Sequence, residues 1–91
     1  MISLHIFPGV NNFLYIEEEF WIPSYTDRFT QIMHNYQSKI KLITGAHIHR
    51  AGFRDASSSS LPDLNIPIFI SPSISPVYQN NPGYTTFDFD G

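Results

Sequence analysis

The sequence predicts an α/β fold of short pieces, and three observations carry that prediction. The runs "ISLHIF" and "IPIFIS" are apolar and β-branched, and turn chemistry follows each of them. Between them, apolar residues recur at helical spacing. The order is strand, helix, strand, strand, strand, with no internal repeat.

Ile2 to Phe7 reads as the first strand, ended by Pro8-Gly9. Val10 to Pro23 reads as a loop with an acidic patch, Glu17-Glu18-Glu19, followed by Phe20-Trp21-Ile22. Ser24 stands as a helix N-cap, with Asp27 at capping-box spacing where Glu or Gln is more usual. Tyr25, Phe29, Ile32, Met33, Tyr36 and Ile40 form one apolar stripe, so a helix is expected from about Ser24 to Ser38 with that stripe buried. Lys39 to Thr44 reads as a short strand ended by Gly45. Ala56 to Asn65, with four consecutive serines and a proline, reads as a surface loop. Ile66 to Ser71 reads as a buried strand, and Tyr84 to Asp90 as a final alternating one.

Composition narrows the function classes. With 91 residues, the chain is one small domain or a piece of a larger one. It has no cysteine, which excludes disulfides and thiolate metal sites. The net charge is −3, and the five Lys and Arg residues are scattered, so no nucleic-acid patch is expected. No run approaches the roughly 20 apolar residues of a membrane span. The opening "MISLHIFPG" lacks the pattern of a signal peptide. Aromatic residues at 15% and hydrophobic residues at 42% mark folded core material rather than disorder. A fold that opens on a core strand is unusual, so residues 1–91 are expected to be part of a larger unit.

The stretch "ITGAHIHR" places His47 and His49 one residue apart. In an extended segment they point the same way, with Ile48 opposite. His5 lies in the first strand. If the strands carrying His5 and His47 are parallel neighbours, all three histidines converge at the carboxyl ends of strands, where α/β folds place their sites. Neutral imidazole suits Zn, Fe or Ni. Taken alone, His-x-His is a short pattern that chance supplies often, and the same residues also read as ordinary loop histidines. His34, beside the helix stripe, carries no expected role. Asp55, Asp63, Asp88 and Asp90 lack a compelling ligand spacing.

Four motifs in order give these histidines a context. They are His5 with Pro8-Gly9, then Ala46-His47-Ile48-His49, Ser71-Pro72-Ser73, and Asn81-Pro82-Gly83-Tyr84. Their order and spacing resemble the C-terminal part of acid sphingomyelinase-like phosphodiesterases, of the calcineurin-like metallophosphoesterase superfamily. The resemblance covers essentially the whole chain. It implies a portion of a four-layer αββα sandwich. It also implies a phosphodiester substrate and a site of two divalent metals, Zn first among the candidates. His5 and His47 would bind the second metal and His49 the first, and His47 would also help orient the phosphate. The metals would activate a water and clamp the phosphate oxygens for in-line attack.

The departures are Ala46 in place of a glycine, Phe7 where a second proline is common, and Ala51 and Gly52 where relatives often carry acidic residues. The superfamily's Asp-x-His, Gly-Asp-x-x-Asp and Gly-Asn-His motifs, which belong to an N-terminal half, do not occur. The expectation is therefore a fragment of a metal-dependent phosphodiesterase whose N-terminal half is missing. The alternative is a non-catalytic remnant or partner-binding module of that fold. Localisation is not fixed by the sequence; the resemblance implies a secreted or lysosomal protein.

Overall fold

A computed structural model of the chain describes residues 1–11, 18–56 and 64–90. Along the chain run β1 (Ile2–Ser3), β2 (Val10–Asn11), β3 (Glu18–Glu19), α1 (Pro23–Asn35), β4 (Ile43–Gly45), β5 (Gly52–Asp55) and β6 (Pro67–Ile70). The α/β class is the one the sequence predicts.

Four strands form one sheet in the order β1-β4-β6-β5. β1 pairs parallel to β4, and β4 parallel to β6. β5 closes one edge antiparallel to β6. Parallel neighbours require a crossover, and α1 lies in the connection between β1 and β4. Ile43 sits level with Ile2 on one side and Ile68 on the other, and Gly45 level with Ile70. That row faces the core, where Phe7, Ile43, Leu64, Ile66, Ile68, Ile70 and Met33 are buried together. The opposite face alternates in character, as period two requires. It carries Thr44, whose hydroxyl donates to Ser3 Oγ at 2.9 Å, and Phe69, flanked edge-to-face by Phe53 and Phe87.

The helix differs from expectation in start and in phase. It begins at Pro23, and Ile22 is the N-cap without a side-chain cap, so Ser24 is inside the first turn. Proline suits the first helical position because its missing N–H is an orphan there anyway. The buried residues of α1 are Thr30 and Met33, with Phe29 half-buried beside them. Tyr25, Ile32 and Tyr36, expected inside, are exposed. Thr30 lies on the inward face, where its hydroxyl donates to Thr26 O at 2.8 Å. A threonine satisfied on its own helix can face a core without an unpaired polar atom.

Four further expectations change. Val10 to Pro23 is not simply a loop, because β2 and β3 pair antiparallel within it; residues 12–17 lie outside the described residues. Gly52–Asp55 forms a strand that no apolar alternation announced. The loop expected over Ala56 to Asn65 ends earlier, since Leu64 is 1% exposed in the core; residues 57–63 lie outside the described residues. Tyr84 to Asp90 is not a strand of the sheet. Its alternation seats Phe87 on Phe69 and leaves Tyr84 and Phe89 exposed, which needs no ladder.

Candidate functional site

β1 and β4 end side by side, and their continuations stay in register. Leu4 N–H donates to Thr44 O at 2.8 Å, and Ala46 N–H donates to His5 O at 3.0 Å. His5 and His47 therefore leave the sheet at the same level, at the carboxyl ends of two parallel strands. His5 Nε2 and His47 Nδ1 lie 3.3 Å apart, with the rings edge-to-face and their centroids 5.2 Å apart. Either ring can donate, according to its tautomer.

The backbone that presents His47 is strained. Residues 47–50 form a series of bends, not the extended segment the spacing suggested. His47 has φ 74° and His49 has φ 59°. Ile48 N–H donates to Ala46 O at 2.9 Å, which closes a γ-turn centred on His47. A γ-turn with positive φ is the rare, strained kind. Left-handed conformations cost a non-glycine residue roughly 1–2 kcal/mol. Two such residues bracketing Ile48 hold both imidazoles outside the core while Ile48 packs against it. Strain of this sort persists only where the surroundings over-determine it, and it clusters at functional sites.

Those surroundings can be traced. Gly9 adopts φ 105°, the turn that sends the chain into the β2–β3 ribbon. The ribbon returns Phe20, whose N–H donates to Gly9 O at 2.9 Å. Phe20 then stands edge-to-face against both Phe7, at 5.1 Å, and His47, at 5.6 Å. Trp21 Nε1 donates to Ile6 O at 3.1 Å and ties the ribbon to the segment after His5. Phe7 is fully buried, with the Arg54 guanidinium 4.6 Å above its ring. Half-burial lowers the Arg54 pKa from its ordinary value, because desolvation disfavours the charged form.

His49 is placed differently. Its ring packs against Tyr78 at 4.8 Å, and its Nδ1 is buried without a hydrogen-bond partner. An unpaired buried ring nitrogen costs about 1–3 kcal/mol when it ought to be bonded. The described structure thus brings His5 and His47 together and sets His49 against the turn-rich segment that carries Tyr78. Among the described residues, no three His, Cys, Asp or Glu side chains converge closely enough to hold a metal ion. His34 is half-buried on α1 beside Gln37, apart from this site. The signal that sequence reasoning missed is Phe20, which buttresses His47 from a segment read as loop. Its position after an acidic run gave no period to detect.

The donor chemistry of the pair suits a divalent cation. Two neighbouring nitrogens on a tetrahedral Zn, at Zn–N of about 2.0–2.1 Å, stand about 3.3–3.4 Å apart. The observed 3.3 Å between His5 Nε2 and His47 Nδ1 is compatible with that spacing, and equally with a hydrogen bond between the two rings. The orphaned Nδ1 of His49 is a third imidazole nitrogen without a protein partner among the described residues.

An α/β sheet with imidazoles paired at its strand ends is the general class these observations define. A more particular likeness comes from sequence comparison. The chain is 38% identical over 90 residues to a protein of Dictyostelium discoideum named sphingomyelinase phosphodiesterase D, and the match covers 94% of this chain. It spans only 20% of that relative's length, so the chain is similar to one sphingomyelinase-like segment of a much longer protein. No family model matches the chain, and no solved structure matches it. Among the described residues, no helix is long and apolar enough to cross a membrane.

Proposed function

We propose that this chain carries one wall of the active site of a metal-dependent phosphodiesterase acting on sphingomyelin-like phosphodiesters. The observation that supports the reading best is the His5–His47 pair, held 3.3 Å apart by a strained turn at the ends of parallel strands. In this reading His5 and His47 hold one divalent ion, Zn first among the candidates, and His49 belongs to a second. Such ions act as Lewis acids toward phosphoryl oxygens and make a water nucleophilic near neutral pH. The chain's own contribution is positional. Phe20 and the γ-turn fix the His47 ring, and the backbone bond from Ala46 to His5 fixes the level of the two rings. In this reading His47 would also help orient the phosphate. The remaining ligands, and the second sheet of an αββα sandwich, come from polypeptide outside this segment, as its share of the relative's length suggests.

The test is a titration of the purified chain with Co²⁺, read by its visible absorption, and with Zn²⁺ as competitor. We expect weak binding that His5→Ala and His47→Ala each abolish. We also expect negligible hydrolysis of a chromogenic phosphodiester with Zn²⁺ added. Binding unaffected by either substitution would sink the metal assignment. Robust, His47-dependent turnover by the chain alone would show a complete site and sink the partial-wall reading.

A further inference from the structure

The segment after β6 is rich in turn residues, and it is built as a closed loop. Ser71 N–H donates to Gly45 O at 2.9 Å, which docks the start of the segment on the end of β4. Gly83 N–H donates to Ser73 O at 3.0 Å and joins the two ends of the loop. Inside it, Ser75 N–H donates to Ser73 Oγ and Asn80 Nδ2 donates to Ser75 O, both at 3.0 Å. Gln79 N–H donates to Pro76 O at 3.0 Å, a turn with Val77 and Tyr78 at its corner, and Gln79 takes φ 58°. A compact surface loop with joined ends and internal bonds is of the Ω type, which frequently carries function. Its corner residue Tyr78 is the one that meets His49, at 4.8 Å and an interplanar angle of 63°.

We propose that Tyr78 is a positioning residue that holds the His49 imidazole apart from the His5–His47 pair; the assignment rests on the two-ion reading above. His49 lies two residues from His47, so the chain itself gives the two rings little separation. Among the described residues His5, His47 and His49 nevertheless do not converge into one three-ligand group. The buried Nδ1 of His49 makes no hydrogen bond, so packing rather than a polar anchor fixes its ring, and Tyr78 supplies that packing. Tyr78 is 54% exposed and stands outside the core cluster, on a loop closed by bonds other than its own. Its removal therefore frees His49 without opening the core. A ligand ring held elsewhere lowers the apparent affinity of a site by the fraction of time it is competent to bind. An edge-to-face aromatic pair is worth about two- to tenfold on that scale. The sign separates this role from simple support: losing a support weakens the neighbouring ion site, and losing a competitor for His49 strengthens it.

The experiment compares the 91-residue chain with Tyr78→Ala and Tyr78→Phe in two measurements. Carbon–proton NMR of the metal-free chains reads the His49 ring, whose signals are assigned by their loss in His49→Ala. We expect ring-current-shifted His49 signals in the unaltered chain and in Tyr78→Phe, and signals near free-imidazole positions in Tyr78→Ala. Co²⁺ titration then reads the histidine pair. Tyr78→Ala should bind about two- to tenfold more tightly and Tyr78→Phe like the unaltered chain. The gain should vanish when His49→Ala is added to Tyr78→Ala. Tyr78→Leu, which keeps bulk without an aromatic ring, gives the same two readings should the alanine variant melt early. Unmoved His49 signals overturn the proposal. So does Co²⁺ affinity that falls or stays level without Tyr78, or a gain that survives the loss of His49. If no chain binds Co²⁺, the metal reading fails, and the NMR comparison alone decides whether Tyr78 holds His49.

Discussion

One methyl group placed at Gly45 tests whether the strand end and the histidine pair are packed as a unit. A Cβ built at Gly45 lies 2.8 Å from Phe7 Cδ1, 3.2 Å from its Cβ and 3.3 Å from its Cγ. Optimal carbon–carbon separation is about 3.5–4.0 Å, so the Phe7 ring would have to retreat by several tenths of an ångström. It has nowhere to go. Phe7 is fully buried, Phe20 stands against its edge and the Arg54 guanidinium covers its face. Overpacking of this kind costs about 1–3 kcal/mol. For a chain of this size, that loss lowers the melting temperature by roughly 5 to 20 °C.

The assay is thermal unfolding of Gly45→Ala by circular dichroism, with Co²⁺ titration at a temperature where both proteins are folded. The displaced Phe7 pushes on Phe20, and Phe20 touches His47, so metal affinity should fall along with stability. A double-mutant cycle isolates the cause. In a Phe7→Ala background the 2.8 Å and 3.3 Å contacts no longer exist, and Gly45→Ala should cost much less there. An unchanged melting temperature for Gly45→Ala, or an equal cost in both backgrounds, would refute the packing argument.

Two further outcomes follow from the same geometry. Met33→Ala should cost about 2–5 kcal/mol in urea denaturation, and Ile32→Ala only about 0.5 kcal/mol, since Met33 is 5% exposed and Ile32 40%; equal costs would mean that the helix phase is wrong. His47→Gly should be more stable than His47→Ala by about 1 kcal/mol, because both lose the ring contacts but only glycine relieves the left-handed backbone; the same denaturation series checks the ranking, and the reverse order would remove the case for strain at this turn.

The parts of the fold that could be read from the sequence are those fixed by local, repetitive chemistry. The β-branched run of Ile66 to Ile70 and the Pro8-Gly9 turn each carry their own cause, and each is found close to where the sequence puts it. The helix exists for the same reason, yet its phase was misread. Its apolar residues are numerous enough to draw two stripes, and the buried one includes Thr30, whose polarity argues for the outside until its bond to Thr26 O is seen. β5 was illegible for the opposite reason. An edge strand buries little, so Gly52, Phe53, Arg54 and Asp55 need no alternation, and only the ladder to β6 defines them.

The histidine pair shows how far spacing alone reaches. Neighbouring parallel strands were the condition for convergence, and β1 and β4 meet it, which brings His5 and His47 into contact across 42 residues. The means differs from the one expected. Period two in an extended segment would aim His47 and His49 together, but the backbone turns left-handed at both, and His49 finishes against Tyr78. No propensity argument places a β-branched isoleucine between two left-handed histidines. The register of β4 with β1, the inward pull on Ile48 and the Phe20 wall impose that conformation together. Among the described residues three non-glycine positions have positive φ, His47, His49 and Gln79, and two of them are histidines of the candidate site. A segment selected for stability alone would place glycine at 47, where the backbone already asks for it. An imidazole on that backbone, beside His5, is the strongest reason to look for a ligand between the two rings.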